Sequence, residues 1–299
     1  MSGIVYDAYV MPGPLALSRS TVDHATHRRT DAAWLEATWR DETTRVLVVG
    51  AGTVPVDGHE LRFVSPSEAP DGHRYLLGVE DGIAYFAVGV DSAPAGGATL
   101  REVGAVLGDR DAGLAVHAVA LANWHAAHRH CARCGQPTEV SAAGHVRRCP
   151  ADGSEHYPRT DPAVIVLVTD EHDRCLLGRA TAWPEKRFST LAGFVEPGET
   201  PEHAVAREVY EEAGVVVTSA RYAGAQPWPF PSSLMLGYYG TATGTEPRPD
   251  GAEIAEARWF KRDELRSAAL AGDILLPGGI SIARRLVEGW YGGALPTQG

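Results

Sequence analysis

Cysteine is scarce in this chain. Four in 299 residues (Cys131, Cys134, Cys149 and Cys175) are too few to staple a chain of this size. The C-x-x-C at 131–134 therefore reads as metal or redox chemistry in a reducing compartment. No apolar run approaches the roughly 18 residues of a membrane span. The opening MSGIVYDAYV lacks a basic segment leading into an apolar one, so no secretory leader is expected, and a soluble cytoplasmic protein is. Positive charge is also short. Lys and Arg number 27 against 38 Asp and Glu, a net charge of −11, which argues against a constitutive nucleic-acid binder. A third glycine is missing from VLVVGAG at 46–52, and Thr53-Val54-Pro55-Val56 does not open a helix. That removes a dinucleotide-fold reading. With 44% hydrophobic residues the chain can bury a sizeable core, and its length allows two domains.

What is present centres on residues 191–215, LAGFVEPGETPEHAVAREVYEEAGV. Thr200 is placed to cap a helix, with Pro201 at its first position and Gly214 at its end. On that helix Glu208, Glu211 and Glu212 share one arc of roughly 100°, with Val205, Val209 and Ala213 beside it toward a core. Three carboxylates so close repel one another unless a cation lies between them. A hard divalent ion, Mg²⁺ or Mn²⁺, suits their oxygens. Arg207 is expected to point away from this triad and to pair with Glu199, pinning the Pro197-Gly198 turn. The fixed spacing from Gly193 through Glu199 to Arg207-Glu208 and Glu211-Glu212-Ala213-Gly214 resembles the Nudix box. That resemblance implies a hydrolase of diphosphates linked to a nucleoside.

Upstream, residues 130–158 form a small module. Cys131-Ala132-Arg133-Cys134-Gly135 is a knuckle, and Cys149 follows after fourteen residues. A four-cysteine ribbon would place its last sulfur at position 152, which is Asp152. Either Asp152 completes a structural zinc site, or His156 or His130 does, or the fold stands without metal. Cys175, in RCLLG, reads as plain core. The histidines on and after the helix expected at 111–128 (His117, His125, His128) read mainly as solvated or satisfied core residues.

Downstream lies Gln226-Pro227-Trp228-Pro229-Phe230-Pro231-Ser232-Ser233. Alternating prolines favour an extended backbone, which would display Trp228 and Phe230 as flat surfaces for stacking rings. Gln226 and Ser233 would be hydrogen-bonders.

Box, knuckle and QPWPFP segment together resemble the NADH pyrophosphatase (NudC-type) family of Nudix hydrolases, most clearly from about Cys131 to Arg285. The resemblance implies an α/β protein: a Nudix α/β/α sandwich at 159–299, a zinc-ribbon-like module at 126–158 and a β-rich N-terminal domain at 1–125, read as antiparallel. It implies hydrolysis of the NAD(H) diphosphate to NMN(H) and AMP, with removal of NAD caps from RNA 5′ ends as a further family activity. It also implies a homodimer. Carried over by motif, Glu208, Glu212, Glu253 and the Ala192 carbonyl would hold Mg²⁺ or Mn²⁺. Glu208, Glu211 and Glu212 would be catalytic, with Glu211 or Glu253 as the base. Substrate would meet Arg101, Tyr157, Phe194, the residues Gln226 to Ser233, and Ala283. Zinc would be held by Cys131, Cys134, Cys149 and Asp152. The rival functions are hydrolysis of another nucleoside diphosphate derivative such as ADP-ribose, and a non-catalytic NAD sensor.

Overall fold

The structure is a computed structural model that describes residues 9–296. The leader reading and the outermost domain edges fall partly on residues 1–8 and 297–299, outside those described. The chain divides into two compact units. One comprises Leu17–Thr160 with Pro227–Ser233, and the other Met1–Ala16, Asp161–Gln226 and Leu234–Gly299.

The first unit begins with helix α1 (Ala32–Trp39), capped by the Asp31 carboxylate, which accepts from the Trp34 amide. Strands β1 (Arg45–Gly50), β2 (Thr53–Asp57), β3 (Glu60–Leu61), β4 (Arg74–Glu80), β5 (Ile83–Val90) and β6 (Gly97–Thr99) follow, then helices α2 (Leu100–Val103) and α3 (Asp109–Ala127). The sheet order is β3-β2-β1-β5-β4, with β6 on β2. VLVVGAG is a strand and its hairpin turn, closed by the pairing of Gly50 with Thr53. Ala51 and Gly52 both take positive φ there. Two expectations need correction. The sheet is mixed, because β1 pairs with β5 in parallel along its whole length. The helix expected at 111–128, which would have Asp111 as its cap, is α3 and instead holds Asp111 inside its first turn. The helix starts two residues earlier, after Gly108, and the buried Asp111 carboxylate accepts from the Leu61 amide and from Arg110. The ribbon completes this unit with β7 (Glu139–Ser141), β8 (Val146–Arg148) and β9 (Glu155–His156), paired antiparallel in that order.

The second unit carries β10 (Asp161–Thr169), β11 (Cys175–Ala180), β12 (Leu191–Phe194), α4 (Pro201–Ala213), β13 (Val217–Trp228), β14 (Ser233–Ala242), β15 (Ile254–Phe260), α5 (Arg262–Ala271) and α6 (Ile282–Tyr291). Its order is β13-β14-β10-β11-β15, with β12 on β10. The AVIVLV run alternates between two cores, as a strand buried on both faces must. Val164, Val166 and Val168 pack with Val205 and Val209 of α4. Ile165 and Leu167 pack with Leu286, Val287 and Trp290 of α6. This is the α/β/α layering expected of a sheet with helices on both faces. Cys175 lies wholly inside the second core. Each buried Val or Leu contributes about 1.5–3 kcal/mol, enough to clamp α4 against the sheet with an acidic residue trapped beneath it. Among the described residues no helix is long and apolar enough to cross a membrane.

Candidate active site

The glutamate helix forms where local rules place it. The Thr200 hydroxyl accepts from the His203 amide at 3.3 Å, Pro201 sits in the first turn, and Gly214 ends the helix in the left-handed region. Gly193 lies on β12, opposite Val164. A Cβ there would overlap the Glu208 carboxylate, so a glycine is required for strand and helix to close around that side chain.

Arg207 does more than the sequence indicates. Its guanidinium forks onto Glu199, Nε to Oε1 at 2.9 Å and Nη2 to Oε2 at 2.8 Å. Nη2 also donates to the Phe194 carbonyl at 2.9 Å. The expectation that Arg207 points away from the triad is corrected: Nη1 donates to Glu208 at 2.8 Å and to Glu211 at 3.1 Å. A long side chain one position away can fold back along the helix surface, which helical spacing alone does not convey. The same guanidinium holds the Glu199 carboxyl down at about 2. Glu199 in turn accepts from the Glu196 amide and closes the turn.

Glu212 is the unusual member. It is 7% exposed, and its Oε2 has no hydrogen-bond partner among the described residues. Burial, then the charges of Glu208 and Glu253, push its pKa up to about 8. Glu208 is also raised, first by burial, although Arg207 opposes the shift. An unpaired buried carboxylate is costly, and three acidic groups within electrostatic reach of one another compound the cost. A divalent cation would remove both problems, so the donor set fits Mg²⁺ or Mn²⁺. The Ala192 amide hydrogen-bonds to Glu212 and opposes the rise of its pKa; the predicted ligand on this residue is its carbonyl, which that bond does not use. Asp250 escaped the sequence reading. Its carboxylate accepts from the amides of Glu253 and Ile254 and so shapes the turn that presents Glu253. An Asp four residues ahead of a strand start was the available signal.

The substrate-side residues are more dispersed. The QPWPFP segment is not extended throughout: β13 ends at Trp228 and the chain turns over Pro229–Ser232. Trp228 and Phe230 meet edge to face at 5.0 Å. The Arg101 guanidinium lies over both rings, 4.2 Å from the Phe230 centroid and 5.0 Å from that of Trp228. Asn123 Nδ2 donates to the Pro229 carbonyl at 2.9 Å. Gln226 is fully buried, donates to the Ile280 carbonyl at 2.8 Å, and leaves Oε1 without a partner among the described residues. Ser233 opens β14, half-buried. Phe194 and Tyr157 are both well exposed, and the Tyr157 hydroxyl donates to Glu155. Ala283, on α6, is buried in the core, and its amide donates to the Ser281 hydroxyl.

In the ribbon, Cys131, Cys134, Cys149 and Asp152 bring their ligand atoms within 4.8 Å of one another. Two matching turns create this cluster. The Gly135 amide donates to the Cys131 carbonyl and the Gly153 amide to the Cys149 carbonyl, each at 2.9 Å. Both glycines take positive φ. Asp152 thus occupies in the second turn the place of Cys134 in the first. Three sulfurs and a carboxylate oxygen fit structural zinc. His130 lies outside the group; His156 Nε2 is 3.3 Å from the Cys131 sulfur. Hydrogen bonding from Ser154 first draws the Cys131 thiol down to about 6, toward the thiolate a metal needs.

Comparison with known proteins agrees with this anatomy. Residues 159–276 match the NUDIX domain model. Residues 126–157 match the NADH pyrophosphatase zinc ribbon domain, and residues 34–124 the NADH pyrophosphatase-like rudimentary NUDIX domain. The chain is 42% identical over 312 residues to the NAD-capped RNA hydrolase NudC of Mycobacterium bovis, covering 97% of this chain and 98% of that one. The chain belongs to the NudC-type NADH pyrophosphatase family. The family likeness extends to human NAD-capped RNA hydrolase NUDT12, 37% identical over 235 residues, which cover 71% of this chain and 51% of that protein. Among solved structures, a NUDIX hydrolase from Nitrosomonas europaea covers 56% of this chain and 95% of its own, with 22% identity and a TM-score of 0.44. For this NudC-type chain, the family models divide the first unit into a Nudix-like half and a ribbon.

Proposed function

We propose that this chain hydrolyses the diphosphate of NAD(H) to NMN(H) and AMP, and by the same bond cleavage removes NAD caps from RNA 5′ ends. The observation that carries the reading is Glu212, buried and unpartnered beside two further acidic groups. Such a carboxylate is maintained for a cation, and a non-catalytic sensor has no use for it. A divalent cation supplies charge neutralisation at the diphosphate and acidification of the attacking water. Glu208, Glu212, Glu253 and the Ala192 carbonyl hold it, as Mg²⁺ or Mn²⁺. Arg207 fixes Glu208 and Glu211 in place. Glu211 or Glu253 takes the proton of the attacking water, which adds to phosphorus directly with no covalent enzyme intermediate.

Phe194 and Tyr157 stack on the nicotinamide side, with Tyr157 reaching the substrate from the second copy of a homodimer. Arg101, the segment from Gln226 through Pro227, Trp228, Pro229, Phe230 and Pro231 to Ser232 and Ser233, and the Ala283 position line the dinucleotide. Zinc in the ribbon is structural, held by Cys131, Cys134, Cys149 and Asp152. Four free cysteines, three of them in that cluster, favour the reducing cytoplasm.

The test is product analysis of the purified protein with NADH, ADP-ribose and NAD-capped RNA, each with Mg²⁺ or Mn²⁺. NMNH and AMP from NADH, with little cleavage of ADP-ribose, is the expected result. Failure to cleave NADH in the presence of either cation would remove the proposal.

A further inference from the structure

One pocket lies wholly within the first unit. It encloses about 480 Å³ between β4, β5, the end of α3 and the ribbon, within the usual range for small-molecule sites. Its inner wall is built around Arg147 of β8, which is only 7% exposed. Arg147 Nε donates to the Thr138 hydroxyl and Nη2 to the Thr138 carbonyl, each at 2.7 Å. Nη1 is 3.0 Å from His125 Nδ1.

A guanidinium can only donate. His125 Nδ1 therefore accepts, and its proton sits on Nε2, which donates to the Gly144 carbonyl at 2.8 Å. His125 is thereby a neutral ring, consistent with burial drawing its pKa down to about 4. All three partners of Arg147 are neutral. Among the described residues no carboxylate lies within ion-pair distance of it. A buried cation without a counter-charge is expensive, and two of its five N–H donors remain to be used.

Arg129, at the end of α3, adds a second positive charge to the lining. Its carboxylate neighbour is the fully exposed Asp91, at 3.9 Å, a contact too long and too solvated to neutralise it. Asp91 is also the only carboxylate of the lining. His73 and His130 complete the polar wall. One face of Tyr75 is stacked on His125 at 4.6 Å, so that ring is already engaged and does not offer a free base-stacking platform. Two arginines and a threonine favour an oxyanion, and the volume exceeds what a bare phosphate fills.

We propose that this pocket binds a phosphate monoester, with its phosphoryl group held between Arg147 and Arg129. The ester is either a free mononucleotide or the 5′-phosphorylated end of an RNA.

Calorimetric titration of the zinc-loaded full-length protein, without added Mg²⁺ or Mn²⁺, tests this. The ligands are inorganic phosphate, AMP, and a short RNA with either a 5′-phosphate or a 5′-hydroxyl. Saturable phosphate binding is expected, weakened about tenfold by Arg147→Lys and at least threefold by Arg129→Ala. Tighter binding of AMP than of phosphorylated RNA assigns the site to free mononucleotides, and the reverse order assigns it to RNA ends. If Arg147→Lys does not fold, Arg129→Ala decides, because that side chain is exposed. Absence of saturable binding, or an affinity untouched by the substitutions that fold, overturns the proposal.

Discussion

The chain holds two Nudix-like halves, and their buried ionisable groups are treated in opposite ways. In the first unit, the Nudix-like half with its ribbon, His117, His125 and His145 are enclosed between α3 and its surroundings. Burial lowers all three, to about 3, 4 and 4, and backbone carbonyls take up their ring protons, Gly144 for His125 and Leu76 for His145. These groups are neutral and satisfied. In the C-terminal half, Glu212 is buried with an unpartnered oxygen and raised to about 8, with Glu208 and Glu253 adding to the strain. These three histidines are resolved within the fold, whereas Glu212 is left open to something that is not protein. Function resides where the local accounts fail to balance.

The pH response is the largest expected effect and should separate the halves. The histidines have folded pKa values below the unfolded value of about 6.5. Their contribution is present above that pH and lost as pH falls toward 4, on the order of 2 kcal/mol each. Arg29, His24, His73 and Arg147 face them and oppose protonation further. Glu212 has the opposite sign. Its protonated form stabilises the fold below about 4.3, and that contribution is lost as pH rises through about 8. Hydrogen exchange without added divalent cation should therefore show α3 loosening toward pH 4 and α4 loosening toward pH 8. Parallel behaviour of both helices would dissolve the contrast.

Arg207 comes next. Arg207→Ala removes the fork on Glu199 and the contacts to Glu208 and Glu211 together. Steady-state kinetics on NADH should show kcat down by about 100-fold, the scale of a small misplacement of reacting groups, with melting changed by only a few degrees. A loss confined to KM would mean that Arg207 serves binding and not the placement of the carboxylates.

Much of this was legible in advance, and the gaps have physical causes. The box helix was readable from Thr200, Pro201 and Gly214 because caps and terminators act locally. The two-faced burial of β10 follows from its unbroken apolar run AVIVLV, which leaves no polar face for solvent. The parallel β1–β5 pairing was not readable, because pairing direction is set by how distant segments meet. The reach of Arg207 back to Glu208 and Glu211 depends on side-chain rotamers. The burial of Ala283 and Gln226, both expected at the substrate, depends on α6 closing over the sheet. The matching turns at Gly135 and Gly153 were half visible: the spacing pointed to position 152, and the structure places the Asp152 carboxylate among the three sulfurs.

The ribbon gives the smallest expected effect. Asp152→Cys supplies a fourth sulfur at a position already turned inward. Competition with a chromophoric chelator should show zinc held at least tenfold more tightly, with turnover little changed. Weaker zinc binding would show that Asp152 is not a ligand and would turn attention to His156.

The claim at the centre is that Glu212 is kept unpaired for a cation. Electron paramagnetic resonance of free Mn²⁺, titrated against the wild-type protein and Glu212→Gln, addresses it directly. The account predicts saturable Mn²⁺ binding in the wild type, weakened at least tenfold in the folded variant, with NADH turnover abolished in parallel. Equal Mn²⁺ affinity in the two proteins, or full turnover by the variant, would contradict it.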